Sequence, residues 1–232
     1  MKTSKVALLL YILFCVLAII ANICGSESLK LVTKPFIVPA LVFYYLIKTK
    51  KINSWVCLFL MFSFIGDAVG LMNFDNEIVY IVFPFFLAII CMIILIIKNL
   101  EKFKYNKFNC FSLLLISSLV GYVWHTSVEL FSFSEGIAQT LVFCFGFSVF
   151  IMTSLVSYNI IWKTNIPNLF LMLSATCVIV SDFFYLIYNF QNQLVIIDYI
   201  HFSCQVFSYY FFIKYILLKE NDVLLKKINN VT

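Results

Sequence analysis

Six ionisable residues interrupt stretches of this chain that are otherwise almost wholly apolar: Lys34, Asp67, His125, Asp182, Asp198 and His201. Inside a bilayer each costs at least ~2.5–3.5 kcal/mol near the midplane, so each needs a partner or a task. A carboxylate in such a place can transfer or hold a proton, bind a cationic group, or sit in an ion network with a lysine. Asp67 and Asp182 are the informative pair, because a short side chain cannot snorkel to the interface as Lys34 can. His125 and Asp198 lie near helix ends and read equally well as wet interfacial residues. Two aspartates and a histidine on separate helices form a donor set that a metal could use, but their spacing is not diagnostic. No metal and no cofactor is expected.

Helical spacing gathers these residues into stripes. Asp198, His201 and Gln205 follow i, i+3, i+7 and share one helix face. Ser174, Ser181, Asp182, Tyr185 and Asn189 form a second stripe. Ser63, Gly66, Asp67 and Gly70 form a third, and Ser118, Tyr122, His125 and Glu129 a fourth. Polar stripes of this kind face a bundle interior rather than lipid. Gly66 and Gly70, four apart, also suit close packing against a neighbouring helix. Counted along the helix, Asp67 lies twelve residues beyond Trp55, about 18 Å from one membrane edge. The same count puts Asp182 at about 21 Å and His125 at about 22 Å, with Lys34, Asp198 and His201 about 5–10 Å below the opposite edge. All six therefore fall in one half of the membrane. The expectation is a polar pocket lined by helices 2, 3, 5, 7 and 8, open toward the outer face or outer leaflet.

The elements that must position these residues are transmembrane helices. The chain has 232 residues, is 63% hydrophobic and only 12% charged, and has a mean hydropathy of +1.03. That balance excludes a soluble domain and marks an integral membrane protein. Apolar runs predict eight helices at about 5–24, 31–48, 55–73, 78–98, 110–131, 136–162, 168–190 and 194–218, in one all-α domain over 1–232. The first apolar run, Val6 to Cys24, is 19 residues long, beyond the 7–15 of a cleaved signal segment, and reads as a membrane helix. All sixteen basic residues are lysine. Those at positions 2, 5, 48, 50, 51, 98, 102, 104, 107, 163, 219, 226 and 227 lie on one side of the membrane, whereas the other side carries Lys30 with Glu27, Asp75, Glu77 and Glu135. The positive-inside rule then places both termini in the cytoplasm. The net charge of +5 comes from lysines in loops and implies no nucleic-acid partner. The eight cysteines are scattered without CxxC spacing and suggest neither a disulfide framework nor a zinc site. One internal similarity, SFIGDAVGLMNF in helix 3 against VIVSDFFYLIYNF in helix 7, hints at a parallel repeat of four helices plus four.

Four motifs together resemble a known family. TKPFIVPAL supplies Lys34, Pro35 and Pro39; FSFIGDAVGLM supplies Gly66 and Asp67; SDFFYLIYNF supplies Ser181 and Asp182; HFSCQVF supplies Gln205. Their identity and order resemble the YhhN-like lysoplasmalogenase family of eight-helix membrane proteins, over nearly the whole chain. The resemblance implies hydrolysis of the vinyl ether bond of a lysoplasmalogen-like membrane lipid, giving a fatty aldehyde and a glycerophospho-alcohol. It assigns Asp67 and Asp182 as the catalytic carboxylates, one to protonate carbon and one to stabilise the cation and activate water. Lys34 would hold the lipid phosphate or keep one carboxylate ionised, with Ser181, Tyr185, His201 and Gln205 binding substrate. One departure stands out: the family commonly carries a histidine followed by a tyrosine in helix 4, and here that helix reads IVYIVFPFFLAIICMIILIIK. His201 or His125 would have to occupy related space. The alternative is a transporter or lipid-binding protein using the same pocket without bond cleavage, and a third reading is a structural ion network of Asp67, Asp182 and Lys34. A lysine-only basic complement suits an AT-rich bacterial genome, hence a bacterial inner membrane.

Overall fold

A computed structural model gives the fold, and it describes residues 2–72, 77–101, 106–130, 136–190 and 194–229. Among the described residues there are eight helices and no strands: α1 (Lys2–Ile23), α2 (Glu27–Lys48), α3 (Ser54–Val69), α4 (Glu77–Lys98), α5 (Lys107–Leu130), α6 (Ile137–Trp162), α7 (Ile166–Phe190) and α8 (Val195–Asn229). Six of them, α1, α2, α4, α5, α6 and α7, are long and apolar enough to cross a membrane. The chain is thus a multi-pass membrane protein. The other two fall short for different reasons. At 16 residues α3 is only about 24 Å long, less than the ~30 Å of a hydrocarbon core. In α8 the residues Asp198, His201 and Gln205 dilute an otherwise apolar run, and the helix continues past the expected end at 218 into a charged tail.

The helices pack as successive hairpins, α1–α2, α3–α4, α5–α6 and α7–α8, joined through α2–α3, α4–α6, α6–α7 and α2–α8. Advancing every helix number by four maps the first hairpins onto the later ones and α4–α6 onto α8–α2. An additional α1–α8 contact is fixed by the Tyr11 hydroxyl, which donates to the Val206 carbonyl at 2.5 Å. Ser174 ties α7 to α8 by donating to the Ser208 carbonyl at 3.0 Å.

Most of the largest fully buried side chains crowd into one half of the bundle. Leu41 and Tyr45 of α2, Leu60 of α3, Leu95 and Ile96 of α4, Met152 of α6, Leu171 of α7 and Phe212, Ile213 and Tyr215 of α8 are all under 2% exposed. This half is the floor of the molecule, and its end carries a polar clasp. Glu101, just past α4, pairs with Lys219 of α8 at 2.6 Å and Lys163 beyond α6 at 3.6 Å. Burial alone would raise the Glu101 carboxyl, but the two lysines outweigh it and hold it below its ordinary value of 4.5. Glu220 accepts from Thr49 Oγ1 at 2.8 Å and from the Lys50 and Lys51 amides at 3.0 and 3.2 Å. With the floor packed and clasped, the opposite half has room for a cavity. The lipid-facing surface is apolar, with Leu9, Phe111 and Leu114 each more than 60% exposed.

Candidate functional site

Asp67 occupies the last turn of α3, which closes with the Gly70 amide donating to the Gly66 carbonyl at 3.0 Å. A helix C-terminus carries partial negative charge, so a carboxylate there calls for donors from elsewhere. They come from α8 and α2. Gln205 Nε2 donates to Asp67 Oδ1 at 3.1 Å and the Tyr209 hydroxyl donates to Oδ2 at 3.3 Å. Lys34 Nζ stands 3.9 Å from Oδ1 and 5.5 Å from the Phe202 ring centroid, a cation–π distance. The second Gln205 N–H donates to the Tyr209 oxygen at 3.0 Å. This fixes the amide orientation, since the flipped form would set its oxygen against the carboxylate. Gln205 and Tyr209 can share one carboxylate because they are four apart on α8. Asp67, Gln205, Tyr209 and Phe202 are buried, Asp67 at only 4% exposed, while Lys34 is half-buried at the edge of the group.

Gly66 has a spatial reason to be glycine: a Cβ there would lie 2.8 Å from Cζ of Phe85 on α4. Gly70 has none of that kind, because its nearest neighbour would be 3.5 Å away. Of the expected close-packing pair, Gly66 alone marks a close approach.

Asp182 lies on α7, and its neighbour Ser181 meets α8. His201 Nδ1 is 2.9 Å from both the Ser181 carbonyl and its hydroxyl. The carbonyl accepts only, so Nδ1 carries the proton in this arrangement. The Tyr185 and His201 rings sit 5.1 Å apart between centroids. Asp182 contrasts with Asp67: its Oδ2 is buried and accepts a hydrogen bond from none of the described residues. At the ends of α2 and α8 nearest this region, Lys30 and Asp198 pair at 3.8 Å.

One cavity of about 490 Å³ joins these groups; Lys34, Asp67, Ser181, Asp182, Tyr185, His201 and Gln205 all line it. That volume falls in the range of small-molecule sites. The cavity runs from Glu27, Lys30 and Asp198 in the first turns of α2 and α8 down to Phe59, Met92 and Ser208 above the packed floor. Its wall is broader than expected, because α1, α4 and α6 contribute as well as helices 2, 3, 5, 7 and 8.

Helix α5 requires a correction. Its expected polar stripe does not face the cavity: Ser118, Tyr122 and His125 are exposed, and α5 instead presents Val120, Val123 and Trp124. Apolar residues turn inward there because α6 meets them with Phe143, Phe147 and Phe150 around Trp124. The Glu129 side chain lies outside the described residues. His125 is therefore not the histidine of this site, whereas His201 lines it. Helix α4, lacking the family's histidine, lines the cavity with Ile81, Val82, Phe85, Ala88, Ile89 and Met92. Reading the sequence missed Tyr209 and Phe202. Extending the Asp198–His201–Gln205 stripe by one more turn would have reached Tyr209.

Compared with known proteins, residues 29–218 match the model of the YhhN family. No curated protein and no solved structure matches the chain. The match begins before Lys34 and ends after Tyr209, and so takes in every residue of the polar cluster.

Proposed function

The chain belongs to the YhhN family, and we propose that it is a membrane lipid hydrolase of the lysoplasmalogenase type, cleaving the vinyl ether bond of a lysoplasmalogen-like lipid. The observation that carries this reading is the unequal surroundings of two carboxylates in one cavity. Asp67 receives donors at both oxygens and a lysine beside one of them, as suits a carboxylate kept ionised. Asp182 has a buried oxygen that receives no donor among the described residues, as suits an acid that carries its own proton.

Roles follow from that difference. Asp182 gives its proton to the β-carbon of the vinyl ether, and positive charge develops at the carbon bonded to oxygen. Asp67 stabilises that oxocarbenium ion and takes a proton from the attacking water. As the hemiacetal breaks its bond to the glycerol oxygen, Asp67 passes its proton to that oxygen, which leaves as the alcohol, while the hemiacetal hydroxyl gives up its proton and the chain leaves as an aldehyde. One water is consumed, and the hydroxyl proton restores Asp182. Lys34 and Gln205 hold Asp67, while Ser181, Tyr185 and His201 shape the wall around the lipid. No cofactor enters this scheme. The lysine-only basic complement is the ground for placing the enzyme in a bacterial inner membrane.

The Lys34–Asp67 ion pair favours a second reading, in which the pocket binds lipid or proton without cleavage. Incubating purified protein with lysoplasmalogen and measuring aldehyde separates the two. Hydrolysis predicts aldehyde from wild type and its loss in Asp67→Asn. Substrate recovered unchanged, with binding intact, would establish the second reading instead.

A further inference from the structure

The cavity is polar on one side only. Lys34, Asp67, Asp182, His201 and Gln205 face it from α2, α3, α7 and α8, whereas the α5–α6 side consists of Val120, Val123, Trp124, Val142, Phe145, Val149 and Phe150 with Gly146. The two sides lie at matching depth. Lys34 is seven residues inside the start of α2 and Asp182 eight inside the end of α7, or about 10 and 12 Å along the helix. Trp124 is six residues inside the end of α5 and Gly146 nine inside the start of α6, or about 9 and 14 Å. The apolar arm therefore lies beside the polar cluster, not beneath it.

Trp124 is seated with unusual closeness. Its ring packs on Phe143, Phe147 and Phe150, with centroids 4.9, 5.7 and 6.4 Å away. A Cβ on Gly146 would fall 2.6 Å from Trp124 Nε1 and 2.7 Å from Cδ1. Glycine is disfavoured in a helix interior relative to alanine, and here it lets the indole edge lie against the α6 backbone. The indole N–H is buried and donates to none of the described residues, an unfavourable state for a donor. Nor does the tryptophan belong to the packed core, since no residue from 107 to 126 is buried as a whole and α5 packs chiefly on α6. What Trp124 does supply is a large rigid wall to the cavity.

We propose that this apolar arm takes the hydrocarbon chain of the lipid and that Trp124, seated by Gly146, sets the chain length accepted. The proposal rests on the hydrolase reading above. It places the vinyl ether, where chain meets headgroup, between Asp67 and Asp182, with the chain running toward α5 and α6.

The test compares wild type, Trp124→Ala and Gly146→Leu on lysoplasmalogens whose alkenyl chains run from twelve to twenty carbons, reading kcat/KM for each. Relative to wild type, Trp124→Ala raises the ratio of long-chain to short-chain kcat/KM about tenfold or more, and Gly146→Leu lowers it, as methylene-scale pocket changes do. Trp124→Leu and Gly146→Ala serve if either larger change prevents folding. Aldehyde release with an unchanged chain-length ratio would overturn the proposal and leave the hydrolase reading intact. If wild type releases no aldehyde from any chain, the hydrolase reading fails, and fluorescence quenching by a lysolipid brominated on its chain then decides the matter in detergent. Stronger quenching of wild type than of Trp124→Phe supports chain binding at the arm, and equal quenching refutes it.

Discussion

Replacing Tyr209 by Phe removes one oxygen atom from the site and leaves its packing in place. The hydroxyl donates to Asp67 Oδ2 at 3.3 Å and accepts from Gln205 Nε2 at 3.0 Å. The ring itself is held by Phe59, 6.2 Å between centroids, and phenylalanine keeps that contact. A hydrogen bond to a charged group contributes about 1.5–3 kcal/mol. At 3.3 Å this bond is at the long end for an O–H donor, so the lower figure applies. About 1.5 kcal/mol corresponds to roughly a tenfold fall in rate, if Asp67 must be held ionised as the cation forms. The assay is aldehyde release by purified Tyr209→Phe, with kcat and KM measured separately. The hydroxyl acts through Asp67, so kcat falls and KM stays near that of wild type. A kcat within twofold of wild type in well-folded protein would refute the reasoning, as would a rise in KM alone.

The remaining expectations reach different parts of the structure. Asp182→Asn should cut aldehyde release by about 10²–10⁴-fold, the usual contribution of a general acid. Its melting temperature in detergent should be unchanged, because Oδ2 takes no hydrogen bond from the described residues; a large fall in stability would assign Asp182 a structural role. Gly66→Val should destabilise the bundle by about 1–3 kcal/mol through overpacking against Phe85, 2.8 Å from the added Cβ. Gly70→Ala, which meets nothing closer than 3.5 Å, is the matched control, and equal folded yields of the two would contradict the close approach. Glu101→Gln tests the clasp at the floor. A carboxyl held below its ordinary 4.5 contributes stability that is complete above that value and is lost as pH falls through the depressed one. The variant's deficit in melting temperature should therefore be present at neutral pH and vanish below the carboxylate range; a deficit independent of pH would rule the ion pairs out as its cause.

The helices and most of the polar lining of the cavity are legible in the sequence because hydropathy and helical spacing both act locally. Lipid demands long apolar runs, which exposes Asp67 and Asp182 as exceptions, and i, i+3, i+7 spacing groups Asp198, His201 and Gln205 without knowledge of any neighbour. What could not be read depends on how helices rotate against one another. The α5 stripe failed for this reason. Ser118, Tyr122 and His125 share a face, but the fit of Trp124 against Gly146 and the α6 phenylalanines turns that face outward. Tyr209 was hidden in a different way, as one aromatic among many in α8 until the Asp67 carboxylate gives its hydroxyl a role. The length of α3 was equally out of reach. Its apolar run looks long enough to span, yet the helix ends at Val69, and Asp67 thereby comes to sit in its final turn.

Protonation of the vinyl ether at carbon is the central chemical claim, and isotope incorporation tests it most directly. The purified protein is turned over on lysoplasmalogen in heavy water, and the aldehyde is trapped as it forms and weighed by mass spectrometry. Proton transfer from Asp182 predicts one deuterium on the carbon next to the aldehyde carbon, with this product lost in Asp67→Asn and Asp182→Asn. Aldehyde carrying no deuterium, or formed equally well by both variants, would contradict the account.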